Sequence, residues 1–274
     1  MIMKVLVWNI NGATESSDAW KYISKHSPDV ALLQEVGSIP HNITKEYNIT
    51  SVSAVRRTGG SQRFSTVVMA KNSEVQLNPL TSNIKWVNKC LELYRGNLVS
   101  VRITINGTTY NLVSVYSPAW QIDTTQIAPE QQCEIKLESN AKIFLTEILW
   151  ASLKDTMKPN EHWLVGGDFN SSETFDKDWQ QANAVRYGLQ SSGNREIIDR
   201  MNNLGLRDVV REHHGEIVPT YKAVRGNDFL HQMDHLYVSS PVLASLEACS
   251  VGDHSLILEQ KLSDHLPIES TFNT

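Results

Sequence analysis

The feature that most restricts this chain is a series of eight short apolar runs spread from one end to the other. They are Lys4–Trp8, Val30–Leu33, Ser65–Ala70, Leu98–Ile105, Tyr110–Tyr116, Trp163–Val165, Met233–Val238 and Ile268–Phe272. Each is only a few residues long and rich in Val, Ile, Leu and aromatics, the composition of strands in a buried pleated sheet. No stretch of about 18 apolar residues occurs, so no helix long enough to span a bilayer is expected. Leu98–Ile105 and Tyr110–Tyr116 flank Asn106-Gly107, whose tolerance of positive φ predicts an antiparallel hairpin.

Three segments between the runs carry helical signals. Ser17–Lys25 begins with capping residues and stops before Pro28. Asn140–Lys154 places Ile143, Leu145, Ile148, Leu149 and Leu153 near helical spacing, and Ile197–Leu204 ends at Gly205. Mostly antiparallel strands with helices between them predict a layered α/β sandwich. No repeat, linker or charge block divides the sequence, so residues 1–274 are expected to form a single domain. A hydrophobic fraction of 41% excludes a disordered chain. The net charge of −5 argues against coating nucleic acid through bulk electrostatics, but leaves room for a local basic groove. Cys90, Cys133 and Cys249 lack metal-ligand spacing, and the N-terminus lacks the apolar core of a signal peptide. Both point to a reducing, cytoplasmic setting.

The informative residues are polar ones where the apolar runs end. They stand in Trp8-Asn9-Ile10-Asn11-Gly12, Leu33-Gln34-Glu35, Val115-Tyr116-Ser117-Pro118 and Gly166-Gly167-Asp168-Phe169-Asn170. Two more groups follow, Gln232-Met233-Asp234-His235 and Ser263-Asp264-His265-Leu266-Pro267. If these sets converge, their carboxylate and amide oxygens suit hard Mg²⁺. A histidine oriented by aspartate supplies a protonated donor for a phosphate. No Ser or Cys nucleophile has a matched base, so attack by activated water on a phosphoester is the natural chemistry.

The six segments, in this order from Trp8 to Pro267, resemble the signature of the endonuclease/exonuclease/phosphatase superfamily, the DNase I-like fold. The resemblance implies a four-layer α/β (α+β) sandwich, with two mostly antiparallel central sheets flanked by helices and a site at one edge. It implies Glu35 as principal Mg²⁺ ligand, with Mn²⁺ able to substitute, and Asn9, Asn11 and Asp264 near the metal or its waters. It gives Asp168 the attacking water, Asn170 a phosphate oxygen, and Tyr116 the phosphate or leaving oxygen. His265 would contact the phosphate and Asp234 fix its tautomer and charge.

Each residue also has a bland reading. Asp168 and Asn170 taken singly are as well explained as turn formers, Asp264-His265 as a loop, and Tyr116 as amphipathic core. Glu35 directly follows an apolar run and needs a partner. His213 and His214 read as solvated residues of a polar loop, Asp208 as structural, and Trp20, Trp86, Trp150 and Trp179 as core.

For the substrate, Tyr116 stands where exonuclease III-like and abasic-site endonucleases carry tyrosine. Arg56, Arg57 and Arg63 lie on a glycine-bearing loop read either as substrate-facing or as a solvated hairpin tip. Trp120 is placed to stack on a base or sugar, and Arg225 lies near a Thr220-Tyr221 pair. These features favour a Mg²⁺-dependent DNA endo- or exonuclease, with RNA as a further substrate and a monomer as the working state. The alternatives are a phosphatase or lipid or small-molecule phosphodiesterase on the same core, and a catalytically silent binding module. His231, the long polar connection Gln121–Ser139 and the absence of a preceding DNA-binding arm depart from the abasic-site enzymes.

Overall fold

The protein was analysed as a computed structural model that describes residues 1–57, 59–176, 193–222 and 230–274. Its strands are β1 Ile2–Ala13, β2 Val30–Val36, β3 Asn48–Val55, β4 Ser61–Ala70, β5 Gln76–Leu77, β6 Leu98–Ile105 and β7 Thr108–Tyr116. They continue with β8 His162–Asp168, β9 Leu206–Asp208, β10 Tyr221–Lys222, β11 Leu230–His231, β12 Asp234–Ser239, β13 Leu246–Val251 and β14 Ile268–Asn273. Two six-stranded sheets result, ordered β13-β14-β1-β2-β4-β3 and β5-β6-β7-β8-β12-β9, and β10-β11 forms a small separate ribbon. Each large sheet is antiparallel except for one parallel pair, β1/β2 in the first and β7/β8 in the second.

The central strands are apolar on both faces because both faces are covered. Along β1, Met3, Val5 and Val7 point between the sheets, where they meet Val30, Leu32, Leu112, Leu164 and Leu236. Leu6, Trp8 and Ile10 point outward, onto Trp20, Tyr22 and Ile23 of the helix Ala19–His26. The second sheet repeats the scheme. Val113, Val115 and Val165 face outward onto Leu145, Ile148 and Leu149 of the helix Leu145–Thr156, and Met201 of the helix Asn194–Asn203 joins them. The layers are helix, sheet, sheet, helix. Gly166 lets the sheets approach at the centre, since a Cβ there would lie 2.9 Å from the Val7 side chain and 3.1 Å from those of Leu32 and Leu236.

Several elements differ from the expected boundaries. The helix expected from Asn140 starts at Leu145, because the Asn140 side chain accepts the Lys142 N–H and the Ile143 carbonyl accepts the Ile122 N–H. The helix expected from Ile197 starts at Asn194, where the Asp176 carboxylate caps the Asn194 and Arg195 N–H groups at 3.1 and 2.7 Å. His213 and His214 close a short helix, Val209–His214, and are exposed on its last turn rather than in a loop.

Candidate active site

Parallel pairing decides where the polar residues gather. Because β1 runs with β2 and β7 with β8, the C-terminal ends of all four carry Asn9, Glu35, Tyr116 and Asp168 toward one edge of the sandwich. The antiparallel neighbours start at that edge. β12 opens with Asp234 opposite Asp168, and the residues before β14 supply His265.

The backbone departs from regular strand here. The β1/β2 register shifts between Asn9 and Ala13, and the β2/β4 register between Leu33 and Val36. Such bulges re-aim side chains at sheet ends. Asn11, Glu35 and Asn170 have φ of 45°, 53° and 48°. Asparagine takes this left-handed conformation readily. For Glu35 it costs about 1–3 kcal/mol, which the surrounding structure must offset.

Asn9 is the hinge of the cluster. It is buried, and its Nδ2 donates to Glu35 Oε1 at 3.2 Å and to Asp168 Oδ2 at 3.0 Å, so one amide spans the gap between the sheets. Asp168 is 2% exposed. Its Oδ1 accepts the Asn170 N–H at 2.9 Å and its Oδ2 the Asn170 Nδ2 at 3.2 Å. Asn170 Nδ2 also donates to the Ser117 carbonyl at 2.8 Å. Tyr116 lies against Glu35 and Asp168, and burial together with those two charges raises its hydroxyl pKa well above the ordinary value. Beneath the cluster, Gln34 Nε2 donates to Ser114 Oγ at 2.9 Å, a second polar tie between the sheets.

His265 is 5% exposed and its Nδ1 donates to Asp234 Oδ2 at 2.7 Å. Its Nε2 stands 4.0 Å from Asp168 Oδ2, too far for a hydrogen bond, and so keeps its N–H for a ligand. Burial alone would lower the imidazole pKa, but the Asp234 and Asp168 carboxylates outweigh it and raise it to about 10. Asp168 is opposed in the same way: burial pushes its carboxyl up to about 7 while the His265 cation pulls it down. Near neutral pH an imidazolium therefore faces a buried carboxyl poised to take up or release a proton.

Several supporting residues were not selected from sequence as site residues. Thr220 Oγ1 accepts the N–H groups of Met233 and Asp234, both at 3.0 Å, and its carbonyl accepts the Leu266 N–H at 2.6 Å, which ties the two loops bearing the Asp–His pair together. The Tyr221 ring lies 4.8 Å from that of His265. Trp8 Nε1 donates to the His265 carbonyl at 2.8 Å, and Ser263 Oγ to the Asn9 carbonyl at 2.7 Å. Asp208 caps the helix Val209–His214 and pairs with His235 Nδ1 at 2.8 Å, while His235 Nε2 donates to the Ser171 carbonyl at 3.0 Å. Sequence hinted at these in two places, the Thr220-Tyr221 pair before Asp234 and Asp208, which reads as structural.

The remaining expected residues fall in three places. Asp264 and Asn11 line a second cleft at the same edge, with Asn11 exposed and Asp264 half-buried. Arg56, Arg57 and Arg63 are exposed on the β3–β4 hairpin, Arg57 reaching a cleft with Trp120 and Lys142. Trp120 is half-buried and packs on Tyr94, with ring centroids 5.8 Å apart. Arg225 and Trp179 lie outside the described residues.

The donor set fits a hard divalent cation. Asp168, Asp234 and His265 bring one ligating atom each within 4.8 Å of one another. A protonated His265 already bound to Asp234 is nevertheless a poor ligand, which leaves the Glu35 side for a metal. There burial and the nearby Asp264 both push the Glu35 carboxyl upward. Among the described residues no Lys or Arg forms an ion pair with Glu35, Asp168, Asp234 or Asp264. Asp234 Oδ1 is also buried without a hydrogen-bond partner. A cation would relieve this concentration of acidic oxygens.

A sandwich of two mixed sheets, with carboxylates, amides and an Asp-oriented imidazole at one edge, defines a phosphoester hydrolase of the DNase I-like class. The chain belongs to the Endonuclease/Exonuclease/phosphatase family, whose model matches residues 6–265. The transposon TX1 uncharacterized 149 kDa protein of Xenopus laevis is 28% identical over 180 residues, 63% of this chain but only 12% of that protein, so this chain spans a small part of that relative's length. An AP endonuclease from Archaeoglobus fulgidus has a similar fold, with a TM-score of 0.67 and 19% identity over 99% of this chain and 100% of that one. So has the 3' phosphatase NExo from Neisseria bound to a product DNA hairpin, with a TM-score of 0.65 and 17% identity over 99% and 100%.

Proposed function

We propose that this protein is a Mg²⁺-dependent nuclease that hydrolyses phosphodiester bonds, DNA being its substrate, and that it works in the cytoplasm. The observation that carries the reading is the pairing across the sheets, in which Asn9 holds Glu35 and Asp168 while His265, charged by Asp234, directs a free N–H into the same space. The choice of DNA is supported by the similar fold of the Neisseria 3' phosphatase, whose structure holds a product DNA hairpin. The exposed arginines of the β3–β4 hairpin agree with a phosphate backbone.

Glu35 would hold the metal, with Asn9, Asn11 and Asp264 orienting it or its waters. When bound, the cation would neutralise charge developing on the phosphate. Asp168, buried and ionisable near neutrality, orients a water and takes its proton as the water oxygen attacks phosphorus. Asn9 and Asn170 hold that carboxylate in place; with its Nδ2 protons engaged by Ser117 and Asp168, Asn170 would serve a non-bridging phosphate oxygen only by releasing one of them. The P–O bond to the leaving alkoxide breaks in line with attack. His265, as imidazolium, donates to the phosphoryl oxygens where negative charge develops, and Asp234 keeps it charged. Tyr116 approaches the phosphate or leaving oxygen from the β7 side.

The test is cleavage of plain, nicked and abasic duplexes and of single strands, with Mg²⁺, Mn²⁺ or EDTA. Mg²⁺-dependent cleavage that falls by roughly 10²–10³ or more in Asp168→Ala and His265→Ala is expected. Turnover of phosphomonoesters or phospholipids without any cleavage of polynucleotide would replace this reading with the small-substrate one.

A further inference from the structure

Beside the catalytic cluster lies a cleft of about 290 Å³ that the chemistry above does not use, lined by Arg57, Trp120 and Lys142 with Ala119, Gln121 and Phe144. Backbone hydrogen bonds fix its place. Trp120 belongs to the loop after β7, and Ser117 at the start of that loop is clamped by the site itself. Its N–H donates to the Asp168 carbonyl at 2.8 Å, and its carbonyl accepts the Asn170 side chain at 2.8 Å. At the far end the Ile122 N–H donates to the Ile143 carbonyl at 2.9 Å, which brings Lys142 alongside. Trp120 follows Ser117 by three residues, so their Cα atoms lie at most about 11 Å apart. The cleft therefore opens within a nucleotide or two of the scissile phosphate.

Its lining suits nucleic acid and selects one form of it. Arg57 and Lys142 are exposed, and among the described residues neither forms an ion pair. Two unpaired cations on one cleft favour an anion between them. Trp120 is half-buried and rests on the buried Tyr94, with ring centroids 5.8 Å apart, so its ring is held from behind while it lines the cleft. Among the described residues no Lys or Arg lies over that ring, which leaves the stacking position to a ligand. Phosphate contacts alone would hold a duplex as readily as a single strand. An aromatic platform would not. Inside a duplex both faces of each base are covered by its neighbours, and a cleft of this size cannot admit a base pair with its two backbones. Only an unpaired base reaches such a platform.

We propose, resting on the nuclease reading, that this cleft is a subsite for one unpaired nucleotide of the DNA being cut: its base stacks on Trp120, and Arg57 and Lys142 hold the phosphates on either side of it. The chain thereby prefers a scissile bond flanked by single-stranded DNA to one inside a perfect duplex.

The experiment compares duplexes with one labelled cleavable bond, either fully paired or with a few unpaired nucleotides on one or the other side of it, with Mg²⁺ present. The wild-type protein is expected to favour one of the unpaired flanks over the paired duplex by about 10-fold in kcat/KM, the worth of one base–aromatic stack. Trp120→Ala is expected to reduce that ratio to under about twofold. Lys142→Ala is expected to raise KM for the unpaired substrate several-fold and to flatten its log–log salt dependence by about 0.7. If Trp120→Ala fails to show wild-type thermal unfolding, a second measurement carries the test. A short oligothymidylate in EDTA should quench the tryptophan emission of the wild-type protein, and the quenching should largely disappear in Trp120→Phe, which keeps a ring against Tyr94. Equal cleavage of paired and unpaired flanks by the wild type, a preference that survives Trp120→Ala, or quenching unchanged in Trp120→Phe overturns the subsite while leaving the nuclease reading standing. Absence of Mg²⁺-dependent cleavage of any polynucleotide overturns both.

Discussion

Replacing Asp234 with Asn tests whether the histidine of the site is a fixed cation. The isosteric amide keeps an acceptor for His265 Nδ1 and removes only the charge. In the wild-type protein the imidazole pKa is raised from 6.5 to about 10, although burial, the largest single influence, acts to lower it. At about 1.4 kcal/mol for each pH unit, the carboxylates exceed the burial penalty by roughly 5 kcal/mol in favour of the imidazolium. With Asp234 neutral, Asp168, Asp264 and Glu35 still oppose burial, and Nε2 of His265 stands 4.0 Å from Asp168. The variant imidazole should then titrate well below the wild-type one. The assay is ¹H–¹³C correlation of the imidazole Cε1 signals from pH 5 to 10, with His265→Gln used to assign the resonance. In the wild type the His265 signal should stay in its protonated position through about pH 9. Stability should follow. Because the folded pKa is raised, the pair's contribution is complete below about 6.5 and is lost as pH rises toward 10, so the urea midpoint should fall across that window and the fall should vanish in Asp234→Asn. A wild-type His265 that titrates near 6.5, or an unchanged midpoint difference between wild type and variant from pH 6 to 10, refutes the charge assignment.

Other perturbations probe the frame and the metal. Gly167→Ala should destabilise the protein by at least about 3 kcal/mol by urea denaturation, or fail to fold, because a Cβ at φ 146° would lie 2.0 Å from the Val115 carbonyl oxygen. Glu35→Gln should weaken Mg²⁺ binding by about tenfold or more in calorimetric titration while thermal unfolding without metal holds or improves, since burial already raises that carboxyl. Asp208→Ala should cost about 2–4 kcal/mol by leaving His235 without its buried partner, and should loosen the Ser171 loop, read as faster amide exchange at Asn170 and Ser171.

What the sequence could show depended on how far apart the cooperating residues lie. β2, β6 and β7 were legible because burial on both faces leaves near-continuous apolar runs. β3, Asn-Ile-Thr-Ser-Val-Ser-Ala-Val, was not, since it is an edge strand with most of its residues exposed or half-buried and no apolar run to announce it. The helix Lys85–Leu93 was missed because only Val87 and Leu91 are buried along it. Among site residues, those that follow an apolar run were visible, as polar atoms in positions where burial demands partners. Ser263 acts on Asn9 across 254 residues and Trp8 on His265 across 257, and no local pattern encodes either contact. The left-handed turn at Glu35 was equally hidden, because glutamate carries no propensity for it and tertiary contacts alone impose it.

The two parallel pairs explain why so many separate segments had to carry chemistry. A parallel pair sends two strand ends to the same side, whereas an antiparallel pair sends one end and one start. Placing β1/β2 in one sheet and β7/β8 in the other therefore concentrates four C-terminal ends at one edge. The antiparallel strands β14 and β12, flanking β1 and β8, must then begin there. Six chain passages meet without any long loop having to reach across. Each sheet contributes its own part: the first brings Asn9 and Glu35 from β1 and β2 and His265 from the lead into β14, the second Tyr116, Asp168 and Asp234 from β7, β8 and β12. The hydrogen bonds that complete the site, Asn9 to Asp168 and His265 to Asp234, both cross from one sheet to the other. Catalytic geometry is thereby tied to sheet-on-sheet packing, so a substitution such as Gly166→Val, far from any substrate but wedged against Val7, Leu32 and Leu236, should impair activity by separating the sheets before it changes any reacting group.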